Sequence, residues 1–152
     1  MTARPGRPPG AHSIDEVLAA ARARLARITA ADAFAELRDG ATLIDIRPAA
    51  QRAAAGEVPG SIVIERNHLE WRLDPASDAR LPQVTGYGLR PIVICAEGYT
   101  SSLAAAALLD LGLARATDVI GGYAAWQAAG LPTASAAERT AAIAPGASPG
   151  FP

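Results

Sequence analysis

Cys95 is the only cysteine in this 152-residue chain, and its setting is that of a nucleophile. It closes the apolar run Ile92-Val93-Ile94 and is followed by Ala96-Glu97-Gly98-Tyr99-Thr100, a polar stretch containing a glycine. Ser101 and Ser102 then open a helical pattern. A strand–Cys–loop–helix order puts the thiol beyond the carboxyl end of a strand, where open α/β sheets bind their ligands. Free amides and the dipole at a helix start favour negative charge there. The thiolate is the attacking form of cysteine, and the same amides can hold an anionic group in transfer. Most lone cysteines are small buried hydrophobes, but those sit inside a strand or on a helix face. The order by itself leaves sulfur chemistry and phosphatase chemistry both open.

The surrounding elements must place that loop. Ser13-Ile14-Asp15-Glu16 is a capping box that starts a helix, with Ile14, Val17, Leu18, Ala21, Leu25 and Ile28 as one apolar stripe. Arg22, Arg24 and Arg27 fall mostly off that stripe and read as a solvated face. Thr29-Ala30-Ala31-Asp32 starts a second helix, which Gly40 ends. Strands are expected over 43–47, 61–64, 92–95 and 117–120, and helices over 48–55, 67–73, 101–111 and from 121–122 to about 130. Ser101 and Ser102 are expected to cap their helix, Trp126 to lie in the core, and His68 on the surface. Alternation of strands and helices argues an α/β fold, three-layered α/β/α with a central parallel sheet.

Three separated segments resemble the rhodanese family. Leu43-Ile44-Asp45-Ile46-Arg47 with Gly56-Glu57-Val58-Pro59-Gly60-Ser61 is similar to its first signature. Cys95 with Gly98 and Ser101 is similar to its active-site loop, and Gly121-Gly122-Tyr123-Ala124-Ala125-Trp126 with Ala129-Gly130-Leu131-Pro132 to its C-terminal signature. The resemblance implies a cysteine that takes a sulfane sulfur from thiosulfate or another persulfide and passes it, as a persulfide, to a thiol or cyanide. That is covalent nucleophilic catalysis without metal or organic cofactor. It implies a small sulfur donor and a thiol acceptor, small molecule or protein, as partners. Asp45 resembles the family's strand-end aspartate, which orders the neighbouring loop.

The active-site loop departs from that pattern. The family often has arginine directly after the cysteine and again before the helix; here stand Ala96 and Thr100, and Glu97 adds a negative charge. An inward carboxylate would oppose a thiolate, whereas a loop glutamate more commonly faces solvent. Cations could come from elsewhere: Arg47 ends the first strand, with pairing to Asp45 or to a surface carboxylate an equal expectation, and Arg72 lies beyond the second. Two other functions stay in view. One is a non-catalytic binding or regulatory module, suggested by the missing arginines. The other is a phosphatase or arsenate reductase of related fold, disfavoured because such enzymes clamp an oxyanion with an arginine in this loop.

Bulk properties agree with one soluble globular domain. Half of the residues are hydrophobic and the formal charge is −1, so no large positive field invites nucleic acid or an anionic membrane. The 14 basic residues are all arginine. One cysteine excludes an internal disulfide or a multi-thiolate metal site and suits a reducing cytoplasm. No run approaches the roughly 18 apolar residues that cross a bilayer. Residues 1–12, rich in Pro, Gly and Arg, are expected to be disordered, 13–134 to form the domain, and 135–152 to be a loose tail. Oligomeric state is left open.

Overall fold

The computed structural model describes residues 2–138. Four parallel strands form the sheet: β1 (Thr42–Asp45), β2 (Ile62–Val63), β3 (Pro91–Ile94) and β4 (Thr117–Asp118), in the order β2-β1-β3-β4. Leu43 and Ile44 on β1 and all of β3 are buried, as strands covered on both faces require. The helices are α1 (Ile14–Ala23), α2 (Ala30–Arg38), α3 (Ala49–Ala55), α4 (Leu69–Leu73, entered through a 3-10 turn at Arg66–His68), α5 (Thr100–Asp110) and α6 (Gly122–Ala128).

Two apolar cores lie on the two faces of the sheet. Ile44, Ile64 and Val93 meet Leu69 and Leu73 of α4 and Ala104, Ala105 and Leu108 of α5. Leu43, Ile92 and Ile94 meet Ala30 and Ala33 of α2 and Tyr123 and Trp126 of α6. The alternation of β1 and β3 side chains thus divides between two helical layers. Trp126 is fully buried, donates from Nε1 to the Pro132 carbonyl at 2.9 Å, and meets Phe34 edge-on.

The expected first helix is corrected in two ways. It ends at Ala23, and its stripe is only partly used: Ile14 and Val17 are 66% and 43% exposed, and Ala21 is its buried residue. Leu25 lies in the turn that follows the helix and packs against the first core, and Ile28 belongs to a segment running beside β4. Ile28 pairs in parallel with Val119, donates to the Asp118 carbonyl and accepts from Ile120 N–H. Thr117 Oγ1 donates to the Ala26 carbonyl at 2.8 Å. The segment covers the edge β4 would otherwise expose. β4 is shorter than the run 117–120 because its pairing with β3 ends at Asp118.

Residues 2–12 carry no helix or strand. Arg7 pairs with the Glu16 carboxylate, and His12 Nδ1 lies 3.3 Å from it. From residue 139 onward the expected tail lies outside the described residues. Among the described residues no helix is long and apolar enough to cross a membrane.

Candidate active site

The strand order reverses direction between β1 and β3, because β2 lies on one side of β1 and β3 on the other. A crevice forms at the carboxyl ends of strands at such a switch point. The register Asp45↔Ile94 brings the residues after β1 and β3 to the same sheet edge. A pocket of about 360 Å³ opens there, lined by Ile46, Arg47, Pro48, Gln51 and the loop residues Cys95, Ala96, Glu97, Tyr99 and Thr100.

Cys95 Sγ sits at the base of the loop. The N–H groups of Gly98 and Ser101 point at it, with N···S distances of 3.2 and 3.4 Å. Donors aimed at sulfur stabilise negative charge there.

The loop takes this shape because α6 grips it from the other side. Tyr123 N–H donates to the Cys95 carbonyl at 2.7 Å, and Ala124 N–H to the Ala96 carbonyl at 3.1 Å. Among the described residues no peptide bond is cis, so the N–H groups of Ala96 and Glu97 turn away from α6. The close approach explains the glycine pair. Gly122 has φ +60°, and a Cβ there would lie 2.4 Å from the Cys95 carbonyl oxygen. Gly98, at φ +87°, would put a Cβ 2.7 Å from the Gly121 nitrogen.

Asp45 and Arg47 form one unit. The fully buried Asp45 carboxylate accepts from Arg47 N–H at 3.0 Å and from its guanidinium at 2.8–3.3 Å. Arg47 also donates to the Gly56 carbonyl and stacks 4.1 Å from the Tyr123 ring centre. Arg47 therefore lines the pocket with its charge already answered by Asp45. Arg72 is not at the site: it is buried in α4, and its guanidinium donates to the Ala79 carbonyl, pinning the loop after the helix. Its register on a short helix, rather than its place after β2, decides where it points.

Glu97 is exposed at the rim, Tyr99 is 60% exposed, and Thr100 begins α5 in solvent. Ser101 and Ser102 do not cap the helix as expected. Both hydroxyls donate to Asp118 Oδ2 at 2.8 Å, and Tyr99 is the N-cap residue without a side-chain cap bond. A buried carboxylate on β4 outcompetes the helix amides for these hydroxyls, because leaving it unpaired costs more. His68 is half-buried at the start of α4, not on the open surface.

Three functional side chains escaped the reading of the sequence. Arg27 binds both oxygens of Asp118, with Nε 2.9 Å from Oδ1, and donates to the Gly98 carbonyl at 3.1 Å. Arg22 donates to the same carbonyl at 2.7 Å and to Ser102 Oγ at 3.1 Å. Asp118 ties these arginines to the two serines. Of the three arginines expected in solvent, only Arg24 is there, paired with Asp110. The available signal was Asp118 itself: a carboxylate inside a buried strand requires a cation.

The Rhodanese-like domain model matches residues 29–129. The chain belongs to that family. Within it, the chain is 37% identical over 91 residues to the adenylyltransferase and sulfurtransferase UBA4 of Lodderomyces elongisporus, a stretch covering 56% of this chain and 19% of that protein. It thus spans about a fifth of that relative's length. A Rhodopseudomonas palustris protein of unknown function, described as a possible tyrosine phosphatase, superposes with TM-score 0.75 at 30% identity, covering 87% of this chain and all of the other. The polysulfide-sulfur transferase homodimer of Wolinella succinogenes shares the fold, with TM-score 0.64 at 22% identity over 80% of this chain and 86% of its own. The rhodanese-like match begins at Thr29, so Arg22 and Arg27 precede it.

Proposed function

We propose that this chain is a sulfurtransferase or sulfur carrier in which Cys95 takes up a sulfane sulfur and passes it on. The observation that carries this reading is the convergence of the Gly98 and Ser101 amides on Cys95 Sγ at the β1–β3 switch point of a rhodanese-like chain. In the first step the Cys95 thiolate attacks the outer sulfur of a donor persulfide. A new S–S bond forms, the donor's own S–S bond breaks, and its thiolate leaves with the electron pair. In the second step an acceptor thiolate attacks the terminal sulfur on Cys95, and the Cys95 thiolate leaves. Electrons balance within each step, so neither calls for a metal or an organic cofactor.

The pocket's charges favour an organic persulfide donor over dianionic thiosulfate. Arg47 is neutralised by Asp45, the segment from Ala96 to Thr100 holds no cation, and Glu97 stands at the rim. The acceptor is a thiol, on a small molecule or a protein, and a reducing cytoplasm suits the single thiol. Intact-protein mass spectrometry tests the reading: incubation with a small organic persulfide adds one sulfur atom, and Cys95→Ser abolishes the addition. If no donor loads the folded protein, while Cys95→Ser keeps the biological role, the chain is a binding module instead.

The likeness to the R. palustris protein keeps a phosphatase in the comparison. A phosphate ester needs a guanidinium in this loop to clamp three oxygens, and the loop has none. Aryl phosphate hydrolysis lost in Cys95→Ser, without sulfur uptake, would replace the sulfur reading.

A further inference from the structure

The loop lacks arginine in its sequence, yet a guanidinium without a carboxylate partner reaches it from α1. Arg27 is balanced by Asp118, Arg47 by Asp45 and Arg52 by Glu57. Among the described residues Arg22 makes no ion pair; its side-chain hydrogen bonds go to the loop and the first turn of α5. It donates to the Gly98 carbonyl and to Ser102 Oγ, and its guanidinium carbon lies 5.7 Å from the centre of the Tyr99 ring. Gly98 is thereby held from both ends, its N–H on Cys95 Sγ and its carbonyl on Arg22 and Arg27.

We propose that Arg22 is a positioning residue that holds the Gly98 N–H on Cys95 Sγ and, from behind the loop, supplies through space the positive charge that stabilises the anionic forms of Cys95. Those forms are the thiolate and the terminal persulfide anion. The division of labour follows from the bonds. Arg27 and Asp118 fix the place of the loop: their charges cancel, and Asp118 carries the two serine hydroxyls. Arg22 adds net charge to a network already closed. It acts from behind the loop and does not line the pocket, so it offers no N–H to a donor's sulfonate oxygens. This reconciles a charge-stabilised sulfur with a pocket that disfavours dianions. The placement depends on Ala26 and Ile28 bonding alongside β4, which draws the end of α1 over the loop.

The inference rests on the sulfur-carrier reading only in taking Cys95 as the reacting atom, and its test is independent of sulfur transfer. The rate of Cys95 alkylation by iodoacetamide is measured at one neutral pH, well below the melting temperature of each protein. One cysteine makes the signal unambiguous. Arg22→Gln keeps a donor for the Gly98 carbonyl but loses the charge, Arg22→Met loses both, and Arg22→Lys keeps the charge.

The uncharged variants should react about three- to ten-fold more slowly, the effect of one charge a few ångströms behind a peptide group in a medium of intermediate dielectric. Arg22→Lys should stay within about two-fold of the parent on the same reasoning. Thiolate ultraviolet absorbance, referenced to Cys95→Ser, should fall in the same order and does not depend on reagent access. Equal losses in the Gln and Lys variants would mean a structural role and overturn the proposal, as would a Gln variant matching the parent. Failure to load sulfur with the alkylation order intact would count against the proposed function and leave this inference standing.

Discussion

Replacing Gly122 by alanine should dismantle the sulfur loop from behind without substituting any residue that lines the pocket. The added Cβ would lie 2.4 Å from the Cys95 carbonyl oxygen, 2.8 Å from the Gly98 nitrogen and 2.9 Å from the Ala96 carbonyl carbon. All three are backbone atoms, so none can swing aside as a side-chain end would. The loop must retreat by roughly 1 Å to reach normal contact distance. That retreat breaks the Tyr123 and Ala124 bonds to the Cys95 and Ala96 carbonyls, each worth about 1 kcal/mol. An alanine at φ +60° adds about 1 kcal/mol of backbone cost. The expected loss of stability is about 3 kcal/mol.

The functional loss should be larger than stability alone dictates, because the Gly98 amide leaves sulfur as the loop moves. A misplacement of about 1 Å in a reacting group costs on the order of 100-fold in rate. Gly60→Ala is the matched control: Gly60 has φ +80° but nothing within 4 Å of its would-be Cβ. It should lose only about 1 kcal/mol and load sulfur normally. Urea unfolding and the rate of persulfide formation by mass spectrometry would be measured on both. If Gly122→Ala loads sulfur as fast as Gly60→Ala, the view that α6 shapes the loop is wrong.

Three further outcomes follow from the same geometry. Asp118→Asn removes the carboxylate that collects Arg27, Ser101 and Ser102; breaking this buried pair should cost about 3 kcal/mol in urea unfolding, and a loss under about 0.5 kcal/mol would contradict the role given to it. Glu97→Gln should raise kcat/KM for thiosulfate about two- to five-fold at low salt, less at high salt, with no gain for a neutral trisulfide. Equal gains for both donors would refute a charge effect at the rim. Glu16 is held below the ordinary carboxylate range by Arg7 first, then His12 and Ser13. Its hold on residues 7–13 should therefore be complete above that range and be lost as pH falls through its lowered value. Amide exchange at Asp15–Val17 as a function of pH would detect this, and Glu16→Gln should abolish the dependence.

The linear pattern reports best where one short segment carries both a residue and its reason. Ile92-Val93-Ile94 is apolar throughout because β3 is covered on both faces, and that marks Cys95 as a strand-end residue. The glycine pair at 121–122 stands where α6 meets the loop, and its positive φ values and close approach are what call for glycine there. Asp45 and Arg47 are two apart, so their pairing was a local matter. The pattern fails where a polar residue's partner is distant. Arg22 and Arg27 sit off an apolar stripe and read as solvated, yet their partners lie 71–91 positions along the chain. Ser101 and Ser102 have the composition of a cap and are used as ligands of a carboxylate instead. Arg72 has the sequence position of a pocket residue but turns toward Ala79.

By itself, then, the sequence determined the strand-end position of the lone cysteine, the α/β alternation, the parallel sheet and the family, because those rest on periodicity, turn residues and spacing within short windows. The tertiary structure alone decided which charges reach the sulfur. Loop arginines are absent from the chain's order, and the cation arrives from α1 because the residues after that helix pair along β4. No local rule contains that pairing: a hydrogen bond between Ile28 and Ile120 exists only once the sheet has formed. Electrostatics depends on distance in space, and the fold sets that distance.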